Sequence, residues 1–318
     1  MKKLLFISSI TLTVALNAQV LQTENFDALN TATIVGQGTP SYANLGGAGT
    51  DYMVVAGGNT GKGLSISGPA TAGASRYLWK GGLDTQWAAR AAGNNIIQVE
   101  YDYYTGAVST STNGGGVELY DSTFGVYLGG LSVENDTKVI YGITTTATVP
   151  GLTNLGAGTA NVILPANTWV RVGFAYNTTN GTVTFKGPGF NKTVTGTDIA
   201  VPFELDYAVQ DLGTNAAAST HLFDNLVVTA VATESLLATN DVSLQTEGFE
   251  VYPNPATDFL IVKSKTKILA AYIYDMSGIR MDAKIIDGKV NVKNLQKGTY
   301  VLGLKTEKGL VSKKFIKK

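Results

Sequence analysis

The chain is 318 residues long, with 24 Lys and Arg against 24 Asp and Glu, 37 glycines, one histidine and no cysteine. The missing cysteine excludes disulfides, thiol nucleophiles, zinc fingers and iron–sulfur clusters, and a single histidine excludes imidazole-rich zinc sites. Only 15% of the residues are charged, which with the abundant glycine describes a turn-rich extracellular protein stabilised by a large core. The zero net charge hides a split. Residues 19–248 carry eight basic against eighteen acidic residues, net −10, and residues 249–318 carry fourteen against six, net +8. An acidic body argues against a nucleic-acid partner. The lysines of the last segment are scattered over strands and loops, as on a solvated face.

In chain order, Lys2 and Lys3 precede an apolar stretch from Leu4 to Leu16 and then Asn17-Ala18-Gln19, which predicts a signal peptide over 1–18. The stretch is too short and too interrupted by Ser and Thr to span a bilayer, and no later apolar run predicts a mature transmembrane span. Residues 19–232 show period-two alternation. Ile97, Val99, Tyr101 and Tyr103 point one way and Gln98, Glu100, Asp102 and Tyr104 the other. Val170, Val172, Phe174 and Tyr176 repeat the pattern, Asn180-Gly181 turns a hairpin into Thr182–Lys186, and Leu222–Val228 is the last strand. Long helical periodicity is absent, so two antiparallel sheets in an all-β sandwich are expected. Gly114-Gly115-Gly116 follows STSTN and lacks the Lys-Ser/Thr of a phosphate loop, so it reads as a flexible hairpin tip. Residues 233–248 read as a polar linker with no core of its own.

The last segment, 249–318, holds strands of about six residues with a turn every ten or so, the pattern of a small antiparallel sandwich. Tyr252-Pro253-Asn254-Pro255 is a stiff turn, Ser277-Gly278 and Asp287-Gly288 are further turns, Gly298 precedes Tyr300-Val301-Leu302, and Lys308-Gly309 leads into the final strand. The motifs VYPNPATDFLIV, AYIYDMSGIRM, NLQKGTY and KKFIKK, in that order at the C-terminus, resemble the type A C-terminal sorting domain of the type IX secretion system. The residues carrying the resemblance are Tyr252, Pro253, Asn254, Pro255, Gly278, Gly298, Tyr300 and Lys314. It implies an Ig-like sandwich recognised by the type IX machinery, and a protein exported through the periplasm to the cell surface or the medium.

The body resembles the concanavalin A-like and laminin G-like jelly rolls in three places: the hairpin TWVRVGFAYNTTNGTVTFKG, the closing strand HLFDNLVVT and the opening TENFDAL. The resemblance implies a jelly-roll fold that hosts lectins, glycosidases and adhesion modules alike. Glycosidases of that type carry carboxylates on alternate residues of one strand, as Glu100 and Asp102 do, followed by a second Glu. Here Tyr103, Tyr104 and Thr105 follow instead, so no catalytic residue is assigned. A polysaccharide or glycan surface is expected from Glu100, Asp102 and Tyr104, joined by Glu118 and Tyr120. Trp87, which with Trp79 flanks Gly81-Gly82, supplies the stacking ring. Trp169 reads as a sheet anchor and His221 as a packed core residue. The jelly-roll resemblance further implies a structural calcium where first and last strands meet, at Glu24, Asp27 and Asp224. The expected function is a non-catalytic carbohydrate-binding or adhesion module. The alternatives are a divergent glycoside hydrolase using Glu100 and Asp102, and a purely structural surface or matrix protein.

Overall fold

The computed structural model describes residues 18–211, 214–237, 249–264, 267–275, 280–286, 288–306 and 309–318. Residues 1–17 of the expected signal peptide, residues 238–248 of the expected linker, and the turn residues Ser277, Gly278, Asp287 and Lys308 lie outside the described residues. The chain divides into two compact units, 1–238 and 239–318.

The first unit is a sandwich of two eight-stranded antiparallel sheets, and their facing side chains form one core. In the first sheet the order is Phe190–Val194, Thr182–Gly187, Trp169–Asn177, Ile96–Tyr104, Ser219–Val231, Lys62–Gly68 and Tyr52–Ala56. Alternation decides which residues enter the core: Ile97, Val99, Tyr101 and Tyr103 are buried, and so are Val172, Phe174 and Tyr176 on the neighbouring strand. The closing strand Ser219–Val231 breaks register at Asp224-Asn225. Before the break it pairs with Lys62–Gly68, and after it with the opening strand Gln19–Glu24. The second sheet runs Val149–Asn154, Val139–Thr146, Tyr127–Glu134, Asn113–Tyr120, Glu204–Asp211, Ser75–Lys80 and Tyr42–Leu45, and Val162–Ile163 pairs with Val139–Thr146 off this path.

Two expectations are corrected here. Gly114-Gly115-Gly116 is not a hairpin tip but the buried start of the Asn113–Tyr120 strand. The absent side chains are a packing requirement, because a Cβ on Gly115 would overlap the His221 ring and one on Gly116 the Leu131 carbonyl. His221 is 0% exposed, with Tyr103 Oη 2.7 Å from Nδ1 and Ser219 Oγ 2.8 Å from Nε2. Burial, reinforced by Lys138, lowers its pKa to about 3, so the ring is neutral. The second correction concerns the start of the linker. Residues 234–237 fold back as a strap over the outer face of the first sheet. Ser235 N donates to Gln98 Oε1 at 2.6 Å, Leu237 N donates to Glu100 Oε1 at 3.1 Å, and Lys186 Nζ bonds the Leu236 carbonyl at 3.1 Å. Leu236 is 0% exposed and covers the backbone at Gly173, where a Cβ would crowd it.

The second unit contains two four-stranded sheets around Leu260, Val290, Leu302, Leu304 and Phe315. Ile285–Ile286 pairs antiparallel with Lys289–Asn291. The proline turn clamps the final strand: Asn254 Oδ1 accepts from Ile316 N at 2.9 Å, Asn254 Nδ2 reaches the Lys314 carbonyl at 3.4 Å, and Ala256 N bonds the Ile316 carbonyl at 2.7 Å. Tyr300 stacks on Phe315 at 5.7 Å, and its hydroxyl donates to the Gln296 carbonyl.

Two measurements follow from these contacts. Gly115→Ala overpacks the His221 contact and is expected to cost about 1–3 kcal/mol, read as a lower denaturant midpoint with unchanged slope. Leu236→Ala is expected to release the strap, seen as loss of amide-exchange protection at Ser235 and Leu237 while protection at Val99 and Val172 persists.

Candidate functional site

The outward face of the second sheet carries an acidic row beneath aromatic rings. In the Asn113–Tyr120 strand, Val117 and Leu119 enter the core, so Glu118 and Tyr120 face out; in Glu204–Asp211, Leu205, Tyr207 and Val209 enter, so Glu204 and Asp206 face out. Register then sets Glu118 directly opposite Asp206, and Asp206 directly opposite Trp79. One step along, Tyr120 stands opposite Glu204 on one side and Tyr127 on the other. Gly130 lies across from Glu118 on its other side, where a Cβ would stand 3.2 Å from Glu118 Cγ and from the Val117 carbonyl oxygen. The result is a cleft of about 420 Å³ lined by Leu45, Tyr77, Trp79, Tyr120, Phe124, Tyr127, Glu204 and Asp206. Tyr120 and Tyr127 lie 4.8 Å apart, and Phe124 sits 6.1 Å from Tyr120 with its ring edge-on to Phe203 at 5.8 Å.

Both central carboxyls are buried. Glu118 is 2% exposed and Asp206 6%. Glu118 is satisfied: Oε1 accepts from Gln210 Nε2 at 2.6 Å and Oε2 accepts from the Tyr120 hydroxyl. Burial still pushes its pKa up to about 7 against the pull of those two bonds. Asp206 has less support. Its Oδ1 has no hydrogen-bond partner among the described residues, and burial, then Glu204, then Glu118, push it up to about 8. Burial also raises Glu204, with Asp84 adding to the effect. A buried acceptor without a donor costs about 1–3 kcal/mol, which a ligand donor would recover.

The surface expected from sequence is divided between the two sheets. Glu118 and Tyr120 belong to the second sheet and Glu100, Asp102 and Tyr104 to the first, so the five residues do not share a face. Glu100 and Asp102 are held by Arg171, at 3.3 and 2.9 Å. Asp102 Oδ2 also accepts from Asn59 and Asn225, each at 2.8 Å. Tyr104 packs against Trp169 at 5.4 Å, which gives Trp169 a partner on the sheet surface. Trp87 is 2% exposed on the short helix Leu83–Ala88, with the Arg90 guanidinium 3.9 Å over its ring. The partly exposed member of the Trp pair is therefore Trp79, because strand alternation sends it outward while the helix turns Trp87 inward.

Glu24, Asp27 and Asp224 bind protein groups. Glu24 accepts from Phe26 N at 2.9 Å and from Tyr42 Oη at 3.0 Å. Asp27 Oδ1 accepts from Lys62 N at 2.8 Å, and Asp224 Oδ2 from Thr60 N at 2.9 Å. The last two carboxylates thus hold one turn, 57–62, from both sides. No group of three metal-ligating side chains occurs among the described residues.

Residues 250–318 match the family model described as a secretion system C-terminal sorting domain. This segment is a type IX sorting domain. It marks the chain for export to the cell surface or the medium, and no helix among the described residues is long and apolar enough to cross a membrane. A 58-residue stretch in the tail region of the chain is 40% identical to Beta-agarase D from Zobellia galactanivorans, covering 18% of this chain and 12% of the agarase. Among solved structures, the body is similar to a protein of unknown function from Shewanella oneidensis MR-1, at 14% identity and TM-score 0.45 over 74% of this chain and all of that one. It is also similar to Cellulose induced protein, Cip1, at 13% identity and TM-score 0.46, covering 67% and 97% of the two chains. The CBM2 module of the Lactobacillus casei BL23 phage J-1 evolved Dit follows at 10% identity and TM-score 0.38, covering 70% and 99%.

The carboxyl pair has a pH signature. Both folded-state pKa values lie above those of free carboxyls, so between about pH 4 and 8 the folded state holds protons that the unfolded chain has lost, and stability falls as pH rises. His221 opposes this below pH 6.5, where its lowered pKa costs stability as pH falls. Comparing wild type with Glu118→Gln/Asp206→Asn cancels the histidine. The double variant is expected to gain Tm over wild type between pH 5 and pH 8.5, and calorimetry at the two pH values checks this.

Proposed function

We propose that the body of this exported protein is a saccharide-binding module, and that its binding face is the aromatic cleft of the second sheet. The observation that carries the reading is the buried Asp206 carboxyl, with one oxygen lacking a donor, beneath a partly exposed Trp79 and a group of tyrosines. Sugars are recognised by hydrogen bonds at a few fixed polar groups and by stacking of their apolar face on an aromatic ring. Asp206 and Glu204 supply the first; Trp79, Tyr77 and Tyr127 supply the second. Export by the sorting domain places such a face where extracellular glycans are found.

Hydrolysis is the second reading, favoured by the cross-strand placement of Glu118 and Asp206. Such pairs have Cβ atoms about 4.5–5.5 Å apart, and a retaining glycosidase needs carboxyls about 5–5.5 Å apart. That chemistry also needs one group ionised and the other protonated, with environments that drive their pKa values apart. Here both are driven up, which favours binding over bond cleavage.

The test is retention of the full chain on a panel of immobilised polysaccharides, with reducing ends measured in the same samples. Trp79→Ala is expected to weaken retention at least tenfold, about 1.4 kcal/mol, with no release of reducing ends. Retention unchanged by Trp79→Ala would remove the cleft from consideration. Reducing ends released by wild type and lost in Glu118→Gln would establish the hydrolase.

A further inference from the structure

The cleft has a chemical bias that a neutral sugar does not require. Its floor is Asp206, 94% buried by its 6% exposure, with Oδ1 unpartnered. Glu118 stands opposite and Glu204 two residues along the same strand. Each Glu118 oxygen accepts a bond, from Tyr120 or Gln210, so the unpartnered acceptor belongs to Asp206. The walls are ring faces, and none of the lining residues is a lysine, arginine or histidine. The nearby basic residues of the Ser75–Lys80 strand are committed elsewhere, Arg76 to Asp51 at 3.0 Å and Lys80 to Glu24 at 3.5 Å.

Three carboxyls crowded against ring faces lack a cation. Aromatic faces carry negative electrostatic potential and attract one, and a buried acceptor needs a donor. A quaternary ammonium brings charge but no N–H. An acetamido group brings one N–H but no charge. A primary ammonium brings the charge and three donors at once. We propose that the cleft takes the primary ammonium of a deacetylated amino sugar within a glycan, donating to the Asp206 carboxylate while the pyranose ring stacks on Trp79. The inference rests on the saccharide-binding reading and names its ligand class. The crowding that raises the Asp206 pKa is relieved by a bound cation, which favours the ionised carboxylate.

The experiment is calorimetric titration of the full chain with a glucosamine hexamer, its N-acetylated counterpart, a neutral glucose hexamer and tetramethylammonium. Asp206→Asn is compared with Asp136→Asn, a surface substitution of equal charge that controls for general attraction of a polycation to an acidic body. The expected result is at least tenfold tighter binding of the glucosamine hexamer than of either neutral hexamer. Asp206→Asn should erase that preference with Tm retained, and Asp136→Asn should leave it. Equal or tighter binding of a neutral hexamer overturns the ammonium assignment and leaves the saccharide reading standing. Tetramethylammonium binding as tight as the amino sugar overturns the assignment in favour of a quaternary ligand. A preference that survives Asp206→Asn overturns the site. No binding by any hexamer overturns both readings together.

Discussion

The first unit depends on one strand finding three partners at once. Ser219–Val231 runs through the interior of the first sheet, with Ile96–Tyr104 on one side and two shorter strands in succession on the other. The break at Asp224-Asn225 makes the succession possible. Asn225 takes a positive φ of 49°, a conformation Asn adopts more readily than most residues. The ladder loses its match there, and the Asp224 carboxylate turns to hold the backbone of the 57–62 turn. The same strand carries His221 and Phe223 into the core, where Phe223 meets Tyr207 of the other sheet at 5.2 Å. The opening and closing strands are thereby tied together, and the two sheets fixed face to face, without disulfides.

With the sandwich fixed, the two outer faces diverge in character. On the first sheet each charge has a partner. Arg171 lies between Glu100 and Asp102, two asparagines finish Asp102, and the strap supplies a backbone donor to Glu100. That face is electrostatically complete. On the second sheet three acids share one surface without a base. Local structure there stores an unmet demand for hydrogen bonds and positive charge. Such demand is a cost in the free protein and a source of affinity when a ligand meets it.

Much of the architecture was legible in the sequence, because period-two alternation reports inside and outside directly. The Ile96–Tyr104 and Trp169–Asn177 strands, the Asn180-Gly181 hairpin and the small sandwich at the C-terminus all follow from local pattern. Alternation does not say which sheet a strand joins. Glu118 looked like a neighbour of Glu100 because both stand between apolar residues, yet they lie on opposite outer faces. Asp206 reads in ELDYAVQ as an ordinary outward carboxylate. Its burial comes from Glu118, about ninety residues earlier in the chain, and from Trp79, earlier still. Long-range register of that kind leaves no local signal. The triple glycine misled for a related reason: glycine marks turns by its backbone freedom, but Gly115 is required by the size of the ring packed against it.

The strap also bears on how the two units can be separated. Leu236 is seated on the sheet and Leu237 N is bonded to Glu100, so the folded body extends several residues past its last strand. Scission anywhere after residue 237 leaves Leu236 and the hydrogen bonds of Ser235 and Leu237 with the body. Scission at the end of the last strand would strip them away. Half a dozen residues past the last strand therefore decide whether a released body keeps the leucine that covers Gly173.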